Sequence, residues 1–367
     1  MTSENVVIRA ARPEDCGEIL RMIKELAVYE QMAEKATLTE ESLREDAFGD
    51  HPYYRALVAE TSSGLTEETR LIGYAMYYFC YCPWLGRGIY LEDFYVEPAY
   101  RGRGIGTSIM REVAKIGVKH RCNKMQWVCL NWNDVAIDFY KKHGSKDVTV
   151  DEKWHLFRMD REELATSAWI LVILGEWNSG SGFGTLFSVS STLTANMASE
   201  EFTIRPARPD DCKDMARIIK ELAAHQGKGD RETVTEEALR EDAFRDDPYF
   251  MALVAEVPST AGGEARLVGY AMYYYCYSPF VRRVMYLEDF YVEPSYRGRG
   301  IGTSLMKEVA KIGVENHCNM MQWACLSWNE IAVRFYKRHG AKNITEEGDY
   351  HLFRMDRQEL VAFTNSV

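Results

Sequence analysis

Residues 90–106 read YLEDFYVEPAYRGRGIG, and residues 286–302 repeat the stretch as YLEDFYVEPSYRGRGIG, with one difference, Ala99 against Ser295. Each copy begins with a β-rich run that ends at Glu-Pro, and a glycine-rich loop then leads into a helical pattern of apolar residues. Glycines let the backbone approach an anion closely, and a helix N-terminus presents N–H groups to it. The stretch therefore predicts a strand, an anion-binding loop and a helix, written twice.

The repeat extends far beyond this stretch. An offset of 196 residues aligns the two halves without a gap, from Ile8 with Ile204 onward. A unit of about 160 residues is long enough to hold its own core, so we expect two whole domains rather than a repeat array. We place the domains at residues 1–164 and 201–367, joined by a linker of residues 165–200 that is rich in Ser, Gly and Thr.

Each copy has the pattern of alternating strands and helices. The helix that starts near Pro13 shows an apolar face that includes Ile19, Ile23 and Leu26. Glycine and proline residues separate the strand-like runs from the helical ones. The predicted order is βααβββαβαβ in each copy, which is an α/β fold with a mixed sheet.

Composition excludes several classes of function. The chain has 367 residues, and 46% of them are apolar, which is enough for sizeable cores. Its net charge of −11 argues against a general binder of polyanions and suits a cationic substrate. No apolar run has the length of a membrane span and no signal peptide is evident, so we expect a cytoplasmic protein.

Cysteine and histidine give no sign of a metal site. Eight of the nine cysteines form four matching pairs between the copies, so duplication explains their number. They lie in apolar runs without the spacing of metal ligands, and the eight histidines form no cluster. We therefore expect buried thiols and assign no metal.

A glycine-rich loop alone is weak evidence. The loop lacks the Gly-Lys-Ser/Thr of a Walker motif, and its glycines do not have the spacing of a Rossmann fingerprint. A nucleic-acid tail would explain the Arg-Gly-Arg-Gly run, but the acidic balance and the absence of a basic stripe disfavour it. The pattern Arg-x-x-Gly-x-Gly, between a strand ending in Glu-Pro and a helix, instead resembles the pyrophosphate loop of the GNAT N-acetyltransferases.

Further stretches narrow this resemblance. Residues 21–26 (RMIKEL), 75–79 (AMYYF) and 131–133 (NWN) are similar to the spermidine/spermine N1-acetyltransferase group, which includes the thialysine acetyltransferases. The resemblance implies two tandem GNAT domains, paired within one chain as a pseudo-dimer because relatives form dimers. It also implies transfer of acetyl from acetyl-CoA to a primary amine of a polyamine, by direct attack in a ternary complex.

The resemblance implies the catalytic residues. Glu92 and Glu288 match the carboxylate that takes a proton from the amine, and Tyr140 and Tyr336 match the general acid for the CoA thiolate. An alkyl ammonium titrates near the pKa of lysine, about 10.4, so that attack by the amine needs a base. Without the resemblance, Glu92 would be interpreted as a polar residue at a strand bulge, and each tyrosine as part of the core.

The residues implied to bind acetyl-CoA lie on the featured strand, its loop and the start of the next helix, with one asparagine further on. They are Phe94, Tyr95, Val96, Arg101, Gly102, Arg103, Gly104, Ile105, Gly106, Thr107 and Asn133 in copy one, and Phe290, Tyr291, Val292, Arg297, Gly298, Arg299, Gly300, Ile301, Gly302, Thr303 and Asn329 in copy two. For the pantetheine arm to enter, the neighbouring strands must splay.

The residues implied to bind the polyamine are mainly carboxylates and aromatic side chains, because each ammonium group favours a charge or a π face. They are Tyr29, Glu30, Trp84, Asp93, Gln126, Trp127, Glu152 and Trp154 in copy one, and Asp289 in copy two. At five of these positions copy two differs, with His225, Gln226, Phe280, Gly348 and Tyr350. We therefore expect copy two to bind acetyl-CoA and to accept polyamines less well.

Other interpretations remain open at this point. Thialysine, a small diamine or an amino-acid side chain is an alternative acceptor, and histone acetylation is conceivable because the fold does not settle the acceptor. A hypothesis of a different class makes copy two a weakly active half that serves as a scaffold or regulator.

Overall fold

The computed structural model describes residues 5–62, 69–148, 154–160, 202–227, 234–258, 265–343 and 350–356. For residues 154–160 and 350–356 the description is of the backbone. The predicted linker and both domain boundaries next to it lie outside the described residues, so these boundaries remain a prediction.

The first half follows the predicted order with one addition. Its strands are β1 (Asn5–Ala10), β2 (Arg55–Ser62), β3 (Thr69–Cys82), β4 (Gly86–Val96), β5 (Lys124–Leu130), β6 (Lys146–Asp147) and β7 (Trp154–Asp160). Its helices are α1 (Cys16–Tyr29), α2 (Glu40–Phe48), α3 (Ile105–Lys119) and α4 (Asp134–Lys142). The short strand β6 is absent from the predicted order, because two residues cannot show an alternating pattern.

The second half repeats these elements. Its strands are β8 (Thr203–Pro206), β9 (Met251–Val257), β10 (Arg266–Ser278), β11 (Arg282–Val292), β12 (Met320–Leu326), β13 (Lys342–Asn343) and β14 (Tyr350–Asp356). Its helices are α5 (Cys212–His225), α6 (Glu236–Ala243), α7 (Ile301–Glu315) and α8 (Glu330–Arg338). The predicted fold class, two mixed α/β domains in tandem, is confirmed.

The last long strand of each half lies in the sheet of the other half. The first sheet has the order β1-β2-β3-β4-β5-β14-β6, and the second has the order β8-β9-β10-β11-β12-β7-β13. β14 pairs antiparallel with β5, from Tyr350 with Leu130 to Asp356 with Lys124, and β7 pairs with β12 in the same way. The exchange was not predicted, because the two copies present the same pairing pattern to either strand.

The amphipathic pattern of α1 is confirmed. Ile19, Ile23 and Leu26 are buried on one face of the helix, as the sequence predicted. α2 begins after Thr39, whose hydroxyl accepts a hydrogen bond from the backbone N–H of Ser42 at 3.1 Å.

All nine cysteine side chains are buried. None of the described helices has the length and apolar character of a membrane span.

Aromatic residues of the two halves pack against one another in equivalent pairs. The ring of Tyr54 lies 4.5 Å from that of Tyr277, and the equivalent Phe250 lies 4.3 Å from Tyr81. One core cluster contains buried residues from both halves. The two copies therefore pair within one chain, as the resemblance implied.

Buried ion pairs also join the halves. Asp46 is 0% exposed, and Nε of Arg283 donates a hydrogen bond to its carboxylate at 2.6 Å. The equivalent Asp242 accepts a hydrogen bond from Nε of Arg87 at 2.6 Å. Charges that are buried in this way need their partners, so these pairs fix how the halves meet.

Replacing Gly73 by alanine is expected to lower the free energy of unfolding by about 1–3 kcal/mol. A Cβ atom at Gly73 would stand 2.8 Å from the backbone oxygen of Tyr95, which cannot rotate away, so β3 and β4 would have to separate. Urea unfolding followed by circular dichroism measures the loss. Gly17→Ala on α1 is the control, because its Cβ would meet only the flexible carboxylate of Glu40. Equal stabilities of the two variants would contradict the prediction.

Candidate active site

A β-bulge in β4 sets the direction of Glu92. Met76 of β3 pairs with Asp93 and Tyr77 pairs with Leu91, which leaves Glu92 as an extra residue between two pairs. The second half has a bulge at the equivalent glutamate. A bulge changes the direction of a side chain and is frequent next to active sites. The strand bulge that the sequence analysis considered for Glu92 is therefore present. The side chain of Glu92 also lines a large cavity.

The strands β4 and β5 diverge beside this bulge. The two parallel strands pair only from Gly88 with Lys124 to Tyr90 with Gln126, although β4 continues to Val96. Along its remaining residues, the edge of β4 that faces β5 is open to a ligand, because backbone N–H and C=O groups there lack a strand partner. The predicted splay of the strands is present.

The glycine-rich loop has the backbone conformation that an anion cradle needs. Gly102 and Gly104 have φ angles of 74° and 80°, in the left-handed region that favours glycine. A Cβ atom at either position would meet none of the described atoms within 4 Å, so the conformation and not crowding explains the glycines. α3 begins at Ile105, so that the N–H groups of its first turn point towards the loop. Gly298 and Gly300 repeat the arrangement.

The two arginines of the first loop also brace it. Nε of Arg101 donates to the backbone oxygen of Val96 at 2.8 Å, and its guanidinium lies 5.5 Å from the ring centroid of Tyr95. Arg103 donates to the backbone oxygen of Ala99 at 3.0 Å. The guanidinium groups that the sequence suggested as anion ligands thus also hold the loop in its conformation.

One cavity of about 1900 Å³ contains most of the predicted site residues of both halves. On its wall lie Tyr29, Glu30, Trp84, Glu92, Asp93, Phe94, Tyr95, Val96, Arg101, Gly102, Gly104, Gly106, Thr107, Gln126, Trp127, Asn133 and Tyr140 from the first half, and Glu288, Asp289, Phe290, Tyr291, Val292, Arg297, Gly298, Gly300, Gly302, Thr303, Asn329 and Tyr336 from the second. Ile105 and Ile301 belong to the cores instead. Arg103 and Arg299 bond to the backbone of their own loops.

Within the described part of the chain, two further carboxylates raise the pKa of Glu92. Burial raises the pKa of Glu92 to about 8, and the charges of Asp93 and Glu30 add to the rise. Burial also raises the pKa of Asp93 to about 7, although the hydroxyl of Tyr74 donates a hydrogen bond that opposes the rise. The pKa of Glu30 is raised to about 8 by burial and by Asp93. A carboxylate in this range can exchange a proton near neutral pH.

The two predicted general acids are buried phenols. The ring of Tyr140 on α4 lies 5.0 Å from Trp127, and that of Tyr336 on α8 lies 5.1 Å from Trp323. Burial raises the pKa of both tyrosines, so they remain protonated at neutral pH. A protonated phenol in the cavity is able to donate a proton to a leaving group.

The predicted asparagines have a structural role that can be seen directly. Oδ1 of Asn133 accepts a hydrogen bond from the backbone N–H of Ala136 at 3.2 Å and so caps α4. The hydroxyl of Tyr29 donates to the same oxygen at 3.3 Å. Asn329 caps α8 in the same way through Ala332. The implied contact with pantetheine remains a prediction.

The end of a strand from the opposite half lies near each glutamate that is predicted to be catalytic. Hydrogen bonding with the side chain of Ser278, in the second half, opposes the rise in the pKa of Glu92. At the equivalent position, Cys82 of the first half lies near Glu288, whose charge adds to the effect of burial and raises the pKa of the thiol to about 12. Sequence reasoning missed Ser278 and Cys82, because no spacing within one copy indicates a contact between copies.

The residues predicted to bind the acceptor amine also involve both halves of the chain. Trp84 packs against a core cluster that consists mainly of residues of the second half, and β7, which carries Trp154, lies in the second sheet. Conversely, the backbone N–H of Phe280 donates to Oγ of Ser278 at 3.4 Å, beside the first site. Glu152 lies outside the described residues. Copy one carries these residues in its sequence, and the topology places the strand of Trp154 in the second sheet, so the assignment of both tryptophans to the first site remains a prediction.

The chain matches the Acetyltransferase (GNAT) family over residues 20–144 and 216–341, which is more than half of its length. It therefore belongs to this family. A thialysine N-epsilon-acetyltransferase of Sus scrofa is 45% identical over 162 residues, which are 44% of this chain and 95% of that protein. The spermidine/spermine N(1)-acetyltransferase-like protein 1 of Homo sapiens is 44% identical over 163 residues, 44% of this chain and 24% of that protein.

A solved structure of a tandem GNAT protein also aligns with the chain. A tandem GNAT protein from the clavulanic acid biosynthesis pathway covers 96% of this chain and 98% of its own, with 11% identity and a TM-score of 0.47. Together, the family match in both halves and the curated relatives make this protein an acetyltransferase of the GNAT kind, related to the thialysine and spermidine/spermine acetyltransferases.

Proposed function

We propose that the protein transfers the acetyl group of acetyl-CoA to a primary amine of a polyamine-like acceptor, by direct attack in a ternary complex. The observation that carries the proposal is the position of Glu92. This carboxylate has a pKa of about 8 and lies on a bulge where β4 and β5 diverge. It lines the same cavity as the glycine-rich loop. A base beside an open strand edge is what amine acetylation requires.

The residues present fit acetyl-CoA. Backbone N–H groups of the loop at residues 101–106 and of the first turn of α3 would bind its pyrophosphate, and the left-handed glycines of the loop support this role. The open edge of β4 at residues 94–96 offers backbone groups to the pantetheine amides. When bound, acetyl-CoA would supply the activated acyl carbon of a thioester.

The side chains of the chain then divide the proton transfers. Glu92 accepts a proton from the ammonium, and its raised pKa leaves it partly ionised at neutral pH. Tyr140 keeps its proton until a thiolate leaves, because burial raises its pKa. Ser278 hydrogen-bonds with Glu92 and holds the base in position from the opposite half. In the second site, Glu288 and Tyr336 have the corresponding places.

The charges near Glu92 support a cationic, linear acceptor. Glu30 and Asp93 are close enough to influence its pKa, so an ammonium that enters would face several carboxylates. An acceptor with a second ammonium gains more from this cluster than a monoamine does. Thialysine is a second candidate acceptor, and the thialysine N-epsilon-acetyltransferases that are 43–46% identical to one half of the chain favour it.

The test is a kinetic panel with the full chain and acetyl-CoA. Spermidine, spermine, putrescine, thialysine and lysine are compared by kcat/KM, and we expect the polyamines to be the best acceptors. A value for thialysine equal to or above that for spermidine would overturn the polyamine preference. No transfer to any amine would overturn the activity itself, and acetylated protein after incubation with acetyl-CoA alone would overturn direct transfer.

The pH dependence of the first site is expected to follow Glu92. In a Tyr336→Phe background, kcat/KM for the amine should rise with pH through an apparent pKa of about 8, because only the ionised base accepts a proton. Glu30→Gln should lower this apparent pKa, since the charge of Glu30 disfavours ionisation of Glu92. Activity would then extend to lower pH. The control is Glu34→Gln, at an exposed position, and an identical profile in both variants would contradict the assignment.

A further inference from the structure

Two buried tyrosines, Tyr78 and Tyr274, and two partly buried ones, Tyr90 and Tyr286, lie where the two sites meet. Tyr78 stacks on Tyr90, with ring centroids 5.0 Å apart and planes 9° from parallel. In the second half, Tyr274 stacks on Tyr286 at 5.2 Å and 19°. All four rings line the cavity that also holds Glu92 and Glu288, so the cavity runs across the junction of the halves.

A succession of neighbours connects the two catalytic carboxylates through these rings. Burial is the largest cause of the raised pKa of Tyr90. The charge of Glu92 is the second cause, and Tyr286 also raises this pKa. The charge of Glu288 raises the pKa of Tyr286 in the same way. Such effects require groups that are close in space. Glu92, Tyr90, Tyr286 and Glu288 therefore follow one another along the wall of one cavity.

This wall suits the passage of an alkyl ammonium. Aromatic faces attract cations, and a tyrosine also offers a hydroxyl oxygen to an ammonium N–H. Glu92 lies near Tyr90 and Glu288 lies near Tyr286, and all four residues line the cavity. An amine that has been acetylated at one end is a neutral amide there and is no longer held by the carboxylates. Its other end remains an ammonium, which the opposite carboxylate attracts.

We propose that a linear diamine is acetylated at both ends without leaving the protein, one end at each site of the shared cavity. The proposal rests on the acetyl transfer proposed above. At each site the amine nitrogen bonds to the thioester carbonyl carbon and the C–S bond breaks. The ammonium gives one proton to Glu92 or Glu288 before attack, and the leaving thiolate takes the phenol proton of Tyr140 or Tyr336. The second proton of the nitrogen restores the phenol, and the carboxyl group releases its proton to water. Two acetyl-CoA molecules are consumed, and the products are the bis-acetylated diamine and two CoA.

The test is an isotope-dilution assay on the full chain. Acetyl-CoA and unlabelled spermine are supplied together with a pool of deuterated mono-acetylated spermine, and the bis-acetylated product of the first turnovers is analysed by mass spectrometry. Product that forms without release carries no label. With the pool at about 0.1 mM and a millimolar effective concentration in the cavity, we expect about tenfold less label in the bis-acetylated product than in the pool.

The matched control is an equimolar mixture of the Tyr140→Phe and Tyr336→Phe variants, which carries both kinds of site on different molecules. In this mixture the bis-acetylated product should have the label fraction of the pool. Equal label fractions in the natural chain and in the mixture would overturn the proposal while acetyl transfer still proceeds. If a variant fails to fold, the natural chain alone decides, because a product with the label fraction of the pool also overturns it. Absence of both mono-acetylated and bis-acetylated product would overturn the proposed function instead.

Discussion

Glu92→Gln is expected to reduce kcat by about 100- to 10,000-fold at the first site, measured in a Tyr336→Phe background. Glutamine keeps the size of the side chain and its hydrogen bonding with Ser278, but it cannot accept a proton from the ammonium. The amine would then have to lose its proton to water, although its pKa near 10 leaves little of it neutral at pH 7. The KM for acetyl-CoA should change little, because the loop and the strand edge are untouched.

Two comparisons make this result specific. Glu288→Gln in a Tyr140→Phe background tests the second site in the same way. Glu112→Gln, at a partly exposed residue of α3 paired with Lys115, should leave kcat within about twofold of its parent, because surface charges contribute little. The rise of the rate through pH 8 should also disappear in Glu92→Gln. A variant that keeps its rate and its pH profile would remove Glu92 from the reaction.

Asp46→Ala is expected to lower the free energy of unfolding by about 3–5 kcal/mol. Asp46 is 0% exposed and accepts hydrogen bonds from Nε of Arg283 at 2.6 Å and from Nε of Arg282 at 3.1 Å. Alanine would leave two guanidinium groups at the junction of the halves without this partner, and the side chain of Arg283 is only 12% exposed. Urea and thermal unfolding measure the loss.

Asp247→Ala is the matched control for this junction. Asp247 also bonds to an arginine of the other half, Arg55, at 2.6 Å, but its side chain is 63% exposed. Water replaces such a contact, so we expect a loss of at most about 1 kcal/mol. If the two aspartates proved equally dispensable, burial of Asp46 would not be what makes its ion pairs important.

Local patterns in the sequence predicted most of the fold. The sequence predicts a strand from Lys124 to Leu130 and a helix from Asp134 to Lys142, and the structure has both elements at these bounds, because apolar periodicity and capping residues define their ends. The sequence also predicts strands from Tyr54 to Glu60 and from Leu71 to Tyr81, whereas β2 is Arg55–Ser62 and β3 is Thr69–Cys82, since a strand ends where its partner ends. Strand exchange was beyond this kind of reasoning, because the copies are so similar that either edge accepts either strand.

The sequence predicted those parts of the candidate site that lie within one copy. It did not predict the parts that form where the two copies contact each other. The loop glycines follow from the residue types that left-handed backbone angles require, as Gly102 and Gly104 show. The bulge at Glu92 was foreseen only as the alternative to a catalytic role. Ser278 carries no motif, and only the packing of the halves brings it to a glutamate almost 190 positions earlier in the sequence.

The exchanged strands also set the order in which the protein can be completed during synthesis. β14 is the strand that pairs with β5, and the paired residues Tyr350 and Leu130 are more than 200 positions apart. While the ribosome is still producing the second half, the outer edge of β5 has backbone groups that await this strand. We therefore expect the first sheet to close only after residues 350–356 have emerged. A change in these residues would then disturb the sheet of the first half rather than that of the second.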